Sequence, residues 1–383
     1  MRVVVIGAGV GGLALARGLV ERGVEVEVYE RADRLRAGGA GLGLYSNGVA
    51  ALNELGVDID DLGRRIDNLE LRDHRGRATL SIDVASVAGR LGFECRTVSR
   101  SSLLERLAQG LPEGVVRFGK VCTGVRLRAD GRASAVFDGG DRATGDVVVG
   151  ADGAGSAIRA YLWGEEPWEK GRWASWQALT PVDLPRAEGT LCSVTQGRQG
   201  MCGIMPAGGG LVQWWFDVRW RRDLPTTTKP LPVLRELFAS WSDPDVRAVL
   251  EQVSDGAAEL FPHVRNRVLP EWGRGVTTLM GDAAHAFPPT TAQGANQALE
   301  DAWALTMALG DSTARFEPET ALRRYEEVRR RPAALASFTS GLESVVRVRP
   351  PALAGQGWLG DLATRQFAGY LSEVSNVLTG SRP

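Results

Sequence analysis

Arg2-Val-Val-Val-Ile-Gly-Ala-Gly-Val-Gly-Gly12 opens the chain and decides how its first half is built. Arg2 to Ile6 is a short β-branched run, the pattern of a parallel strand buried on both faces. Gly7-Ala-Gly-Val-Gly-Gly12 follows at once, and a mostly apolar helix is expected through about Arg22. In such a unit Gly7 permits the tight turn, Gly9 the close approach of a pyrophosphate, and Gly12 the packing of helix on strand. Val10 and Gly11 open the helix whose N–H groups would face the phosphates. A second strand, Val24 to Tyr29, alternates apolar and acidic residues and ends at Glu30, 18 residues beyond Gly12. A carboxylate there can hold both ribose hydroxyls of an adenosine and would repel the 2′-phosphate of NADP. Glycine turns are common, and a lone Gly-x-Gly-x-x-Gly is weak; the strand, helix and acid around it make this one a dinucleotide cradle. It does not choose between FAD and NAD.

Two later strings bear on that choice. Val147-Val-Val-Gly-Ala-Asp-Gly-Ala-Gly-Ser-Ala-Ile-Arg159 is another buried strand running into a glycine turn, with one acid, Asp152. Read from the residues alone, Asp152 and Ser156 could each be no more than the cap of a helix start. Leu279-Met-Gly-Asp-Ala-Ala-His-Ala-Phe-Pro-Pro289, continued by Gln293-Gly-Ala-Asn-Gln-Ala-Leu-Glu-Asp-Ala302, reads as a buried strand, a tight acidic turn, a proline-held loop and a helix opening at Gly294. That arrangement can aim a carboxylate at a sugar hydroxyl and helix N–H groups at a flat, electron-rich ring.

Taken in this order, the three strings resemble the motifs of the FAD-dependent aromatic hydroxylases, the single-component flavoprotein monooxygenases with a p-hydroxybenzoate hydroxylase-like fold. The resemblance covers roughly residues 1–345 in pattern and is densest in the FAD-binding portions. It implies FAD as resident cofactor, with Asp282 hydrogen-bonding the ribityl chain. Gly294, Ala295 and Asn296 correspond to the helix start facing the pyrimidine end of the flavin, and Pro288 and Pro289 to a stiff wall near its reactive carbon. Asp152, with Gly153, Ser156 and Arg159, would serve both the flavin and the groove that receives nicotinamide. Arg100 matches an arginine that contacts the FAD phosphates or ribityl chain. Gly39 to Asn47 resembles the loop that borders the flavin and moves with it, its mobility supplied by Gly41 and Gly43. Arg31 is expected at the adenosine, and the strand around Cys122 is expected to supply a backbone contact to adenine. His285 is tempting as a base, but a lone His after a strand is more often structural. One departure stands out: the family has Gly-Gln-Gly where this chain has Ala292-Gln293-Gly294. A methyl there is harmless at negative φ and costly at positive φ.

The expected fold is α/β: a Rossmann-like FAD-binding domain with an inserted, mainly β-sheet substrate domain and a C-terminal helical segment. The FAD-binding portions are 1–67, 92–165 and 268–320, the substrate domain 68–91 and 166–267, and the helical segment 321–383. Between Trp163 and Trp241 lie eight of the eleven tryptophans. Strands are expected within Asn68 to Val84 and on either side of Gly208–Gly210. A tryptophan-rich sheet is more often ordinary core than a binding wall, but over a flavin it suggests a flat apolar pocket. Helix is expected from Glu317 to about Ser344.

Composition excludes other classes. With 45 basic and 46 acidic residues the net charge is −1, so no global field attracts nucleic acid. The basic-looking run Leu322 to Arg331 has Glu326/Arg330 and Glu327/Arg331 at i,i+4, as on a solvated helix face. No apolar run approaches the roughly 20 residues of a membrane span. Four scattered cysteines suit a reducing, cytoplasmic setting, and three dispersed histidines make a zinc site unexpected.

What the resemblance implies chemically is a monooxygenase. NAD(P)H would reduce FAD, O2 would add at the flavin C4a, and the hydroperoxide would hydroxylate or epoxidise an apolar aromatic or polyene-type substrate. With no second Gly-x-Gly-x-x-Gly, the nicotinamide nucleotide would dock transiently. No general base can be named from the sequence, nor an oligomeric state. The rivals are a flavoprotein oxidase, dehydrogenase or flavin-dependent cyclase on the same fold, a non-catalytic relative, and a sequestering module for aromatic metabolites. A halogenase is disfavoured because Trp214-Trp215 does not match a Trp-x-Trp-x-Ile-Pro signature.

Overall fold

Arg2–Ile6 lies at the centre of a five-stranded sheet, in the order Thr277–Leu279, Val147–Gly150, Arg2–Ile6, Glu25–Tyr29, Val116–Arg117. Every pairing in it is parallel. In this computed structural model the described residues are 1–35, 40–165, 169–220, 229–345 and 357–383. Gly39, Trp168 and the Pro350-Pro351 pair lie outside them. The first strand is central because its valines are apolar on both faces: Val3, Val4 and Val5 are fully buried. The helix Val10–Glu21 turns its leucines onto this sheet and packs against Gly294–Gly310, so segments almost 300 residues apart in sequence share one core.

A second sheet has seven strands: Glu259–Arg265, Glu169–Pro181, Leu211–Arg219, Gly200–Gly208, Leu191–Gln196, Asn68–Asp73 and Ala78–Asp83. Only the pairing of Leu191–Gln196 with Asn68–Asp73 is parallel. The period-two alternation of these strands sorts residues between two environments. Trp176, Ile204, Trp214, Phe216 and Val218 face a closed core completed by Phe238 and Trp241 beside the helices Leu231–Leu237 and Pro244–Gln252. Fully buried rings of this kind contribute about 2–3 kcal/mol each. Gln177, Met201, Met205, Gln213, Trp215 and Asp217 face the other way, into a cavity over the first sheet. The helix Gly357–Glu373 packs on Ala78–Asp83 at the rim of that cavity.

Three expectations need correction. The tryptophans do not form a wall: Trp176, Trp214 and Trp241 are sealed in the closed core, and Trp215 is the one tryptophan lining the cavity among the described residues. Gly41–Leu44 is no open loop but a strand paired antiparallel with Arg96–Ser99. Its glycines leave room for neighbours, Gln213 against Gly41 and Met205 against Gly43. The charged run 322–331 is only half solvated. Glu327, Arg330 and Arg331 are exposed, whereas Glu326 and Arg329 are buried and paired with Thr278, Arg323 and Asp301.

Candidate active site

One cavity of about 1500 Å³ runs from the first glycine turn to the inner face of the seven-stranded sheet. Its floor begins at Gly7, whose φ of +108° only glycine tolerates and where a Cβ would stand 2.3 Å from the Ala151 carbonyl oxygen. At Gly12 a Cβ would meet the Gly7 carbonyl at 2.0 Å, so helix and turn touch backbone to backbone. Nothing lies within 4 Å of a Cβ built on Gly9, which therefore faces open cavity. Val10 and Gly11 line the same stretch.

Glu30 stands at the end of its strand as expected, and both carboxylate oxygens are already used. One accepts from Ala8 N at 2.8 Å and the other from Ala32 N at 2.9 Å, which ties the glycine turn to the second strand. Each oxygen keeps a lone pair for a ligand hydroxyl. Arg31 and Cys122 line this end, where burial pushes the Cys122 thiol up to about 11. Arg31, Arg34, Arg100 and Lys120 are the cationic lining residues among those described, and all are on this side.

The middle motif carries both readings at once. Asp152 Oδ2 accepts from Ala157 N at 2.8 Å, and Ser156 Oγ accepts from Arg159 N at 2.9 Å, so both cap the helix Ala157–Trp163. Asp152 Oδ1 is buried without a partner and the residue lines the cavity; burial raises its carboxyl, partly offset by Ser156 and the backbone donors. Arg159 points away, donating to the carbonyls of Ala283, Ala284 and Arg267. It clamps the third motif from behind.

In that motif Gly281 takes φ +55° and delivers Asp282 into the cavity. No described group donates a hydrogen bond to the Asp282 carboxylate. Enclosure by the surrounding fold pushes this carboxyl up, against the pull of His285 and Arg100. Because the side chain is open to the cavity, the push is weaker than full burial would give. Pro289, Gly294 and Ala295 line the far wall. The first-turn N–H groups of Gly294–Gly310 have no intrahelical acceptor and present the positive end of the helix dipole. Asn296 is not on the wall. Its fully buried amide donates to the carbonyls of Gly43 and Ala292 at 3.0 and 2.8 Å and accepts from Tyr45 N at 3.0 Å, bracing Gly41–Leu44 against the helix. Ala292 has φ +50°, the one non-glycine residue at positive φ among those described.

Several positioning groups carry no local sequence signal. Asp301 accepts from Gly281 N at 2.8 Å, pairs with His285 Nε2 at 2.7 Å and accepts from Arg329 Nε at 2.7 Å. Burial alone would raise its carboxyl, but His285 and Arg329 hold it down to about 2. His285 is thus a strut beneath the Asp282 turn. Arg329 also donates to Gln297 Oε1 at 2.7 Å and Asn376 Oδ1 at 2.8 Å, and Asn376 N donates to Glu300. Gln213 Oε1 accepts from Gly41 N at 2.5 Å and links the roof to the floor. For Asp301 the available clue was the acidic pair Glu300-Asp301 set between Leu299 and Ala302.

Known proteins resemble the chain along most of its length. Residues 1–338 match the FAD binding domain family. The 3-amino-4-hydroxybenzoate 2-monooxygenase PtnB3 of Streptomyces platensis is 35% identical over 344 residues, 86% of this chain and 84% of its own. An FAD-dependent urate hydroxylase of Klebsiella pneumoniae is 29% identical over 341 residues, 86% of each chain. The crystal structure of Klebsiella pneumoniae HpxO complexed with FAD and uric acid has a TM-score of 0.84 at 25% identity, covering 100% of this chain and 95% of that one. Similarity of this extent, joined to a dinucleotide cradle opening on a roofed cavity, places the chain in the FAD-dependent aromatic hydroxylases, flavoprotein monooxygenases whose cofactor is FAD.

Proposed function

We propose that the chain uses NAD(P)H and O2 to hydroxylate or epoxidise a ring-bearing small molecule held against the inner face of the seven-stranded sheet. The observation that carries this reading is the continuity of the cavity: the cradle and the roof share one space. The residues fit FAD on three independent counts: the open face of Gly9, the bare Asp152 Oδ1 and the Asp282 carboxylate with no described donor. Glu30 and Arg31 would hold the adenosine with the backbone at Cys122, the Gly7–Gly12 turn and Arg100 the diphosphate, and Asp282 the ribityl chain. Pro289, Gly294 and Ala295 would border the flavin ring with Gly43, and Asn296 would keep Gly43 in place.

Bound FAD supplies the hydride acceptance and oxygen activation. The chain supplies charge, shape and dryness. Helix N–H groups at Gly294 and Ala295 favour negative charge on the adjacent ring edge. Pro289 and Phe287 form an apolar wall, and Met201, Met205 and Trp215 roof it, which limits water beside the reacting atoms. Leu69, Leu71 and Ile82 on the sheet and Leu359, Leu362 and Phe367 on the rim helix extend the apolar lining, enough to accept an alkyl or polyene extension.

The test is an absorbance spectrum of the purified protein, then NAD(P)H consumption with a panel of aromatic and polyene compounds under isotopically labelled O2. Substrate-stimulated consumption with label in the product is expected. Hydrogen peroxide without labelled product would point to an oxidase, and a flavin that NAD(P)H cannot reduce would end the catalytic reading.

A further inference from the structure

The inner face of the seven-stranded sheet changes character along its rows. One row runs in continuous register over six strands: Gln177, Trp215, Gly203, Val194, Leu71 and Leu80. All but Gly203 line the cavity, and Gly203 leaves the space that the Trp215 indole fills. The lining along that row therefore passes from an amide, through an indole, to branched aliphatic side chains. Leu69 and Ile82, register partners two residues on, continue the aliphatic part. Three strand spacings, about 14 Å in all, separate the Trp215 strand from the Leu71 strand.

The helix Gly357–Glu373 faces this aliphatic end. Leu359, Leu362, Ala363, Gln366 and Phe367 line the cavity at the i, i+3, i+4, i+7, i+8 spacing of a single helical face. Another side of the helix is anchored. Ala368 and Leu371 are buried with Val87, and Thr364 Oγ1 accepts from Asp83 N at 3.0 Å. At Gly360 a Cβ would stand 2.9 Å from the Ser81 carbonyl oxygen, so helix and edge strand meet backbone to backbone. Between them Leu69, Leu71, Leu80, Ile82 and Leu359 are only half-buried, and Leu362 is 37% exposed. No lining residue described on these two strands or this helix is charged. The result is an apolar slot, walled by sheet and helix and continuous with the dinucleotide cradle.

We propose that the substrate is amphipathic, a ring placed under Trp215 that carries a neutral aliphatic chain, and that the chain enters this slot and supplies most of the selection among rings. Each methylene moved from water into an aliphatic lining strengthens binding by up to about fourfold. A chain that ends in a charge gives up its hydration and meets no described counter-charge in the slot. The inference deepens the proposed function and rests on it: the ring whose chain fills the slot is the one oxidised.

The test uses the FAD-loaded protein and a series of 4-alkylphenols from methyl to heptyl. Each is titrated without NAD(P)H, and binding is read from the perturbed flavin absorbance, so turnover is not needed. Affinity is expected to rise at least about twofold per methylene across the series. A carboxylate in place of the terminal methyl of the heptyl chain is expected to weaken binding at least about tenfold. Leu362→Glu, at an exposed position, and Leu71→Gln are each expected to flatten the dependence on chain length with FAD content unchanged. Affinity that stays flat across the wild-type series overturns the inference, as does equal binding of the carboxylate-ended chain; neither result needs a variant to fold. So does a slope unchanged in both flavin-loaded variants, or no flavin response to any member at its solubility limit. A protein that inserts oxygen into rings regardless of chain length refutes this inference alone; one whose bound flavin cannot be reduced refutes the proposed function.

Discussion

Single residues separate what a motif can announce from what only neighbours determine. Asp282 could be singled out from the chain because a strand, a glycine and an acid in sequence already define a turn. Replacing it with alanine should lower FAD occupancy at least about tenfold, the scale of one charge-assisted hydrogen bond lost from a ligand. The ratio of flavin to protein absorbance after gel filtration measures it, and unchanged occupancy would reject the assignment. Ala292 was legible as an irregularity, but its cost was not, because that depends on φ. At +50° the methyl is strained by about 1–2 kcal/mol. Ala292→Gly should therefore raise the melting temperature by about 1–2 °C, after glycine's own entropy cost. A lower melting temperature would show that the loop draws some other benefit from the methyl.

At the scale of elements, strand positions were readable from alternation and glycine punctuation, while the direction each face points was not. Gln213-Trp-Trp-Phe-Asp217 puts a tryptophan on each face, Trp215 beside Gln213 and Asp217 and Trp214 beside Phe216, so alternation sorts the residues without saying which face looks at the cavity. Packing decides it through a residue on the next strand. Gly203 is the register partner of Trp215, and a Cβ there would stand 2.0 Å from the indole. The glycine lets that ring lie across the roof. Gly203→Ala should push Trp215 into the cavity at a cost of about 1–3 kcal/mol. Raised KM for the ring substrate with FAD content intact is the expected outcome; unchanged KM would mean that the indole can shift without consequence. Asn296 teaches the same lesson from the opposite side. It sits in a recognisable helix start, yet its side chain serves a strand 253 residues away in sequence.

Across the whole molecule, burial overrode a local charge pattern. The i,i+4 rule read the run 322–331 as solvated, but Arg329 is fully buried with Asp301 and Glu300 because the helix 318–345 lies against Gly294–Gly310. The fold thereby acquires a pH response. Asp301 is held down to about 2, below its unfolded value, so its stabilisation is present above about pH 4 and is lost as pH falls from about 4 to 2. The shift is equivalent to about 2 kcal/mol. Urea midpoints should drop across that window, and less steeply in Asp301→Asn; parallel slopes would remove Asp301 as the cause. Glu300, whose carboxyl burial raises, titrates in the opposite sense and is common to both proteins.

The central sheet pairs Arg2–Ile6 with strands that begin at Val147 and, one place further, Thr277. The glycine turn made first during synthesis is closed only when the segment holding Asp282, Asp301 and Arg329 has emerged. During translation the cradle is therefore half a site, with an apolar strand awaiting a neighbour more than a hundred residues away. The cavity is lined together by Gly7–Gly12, Asp152 and Asp282, so its complete wall exists only once residues from all three segments have come together.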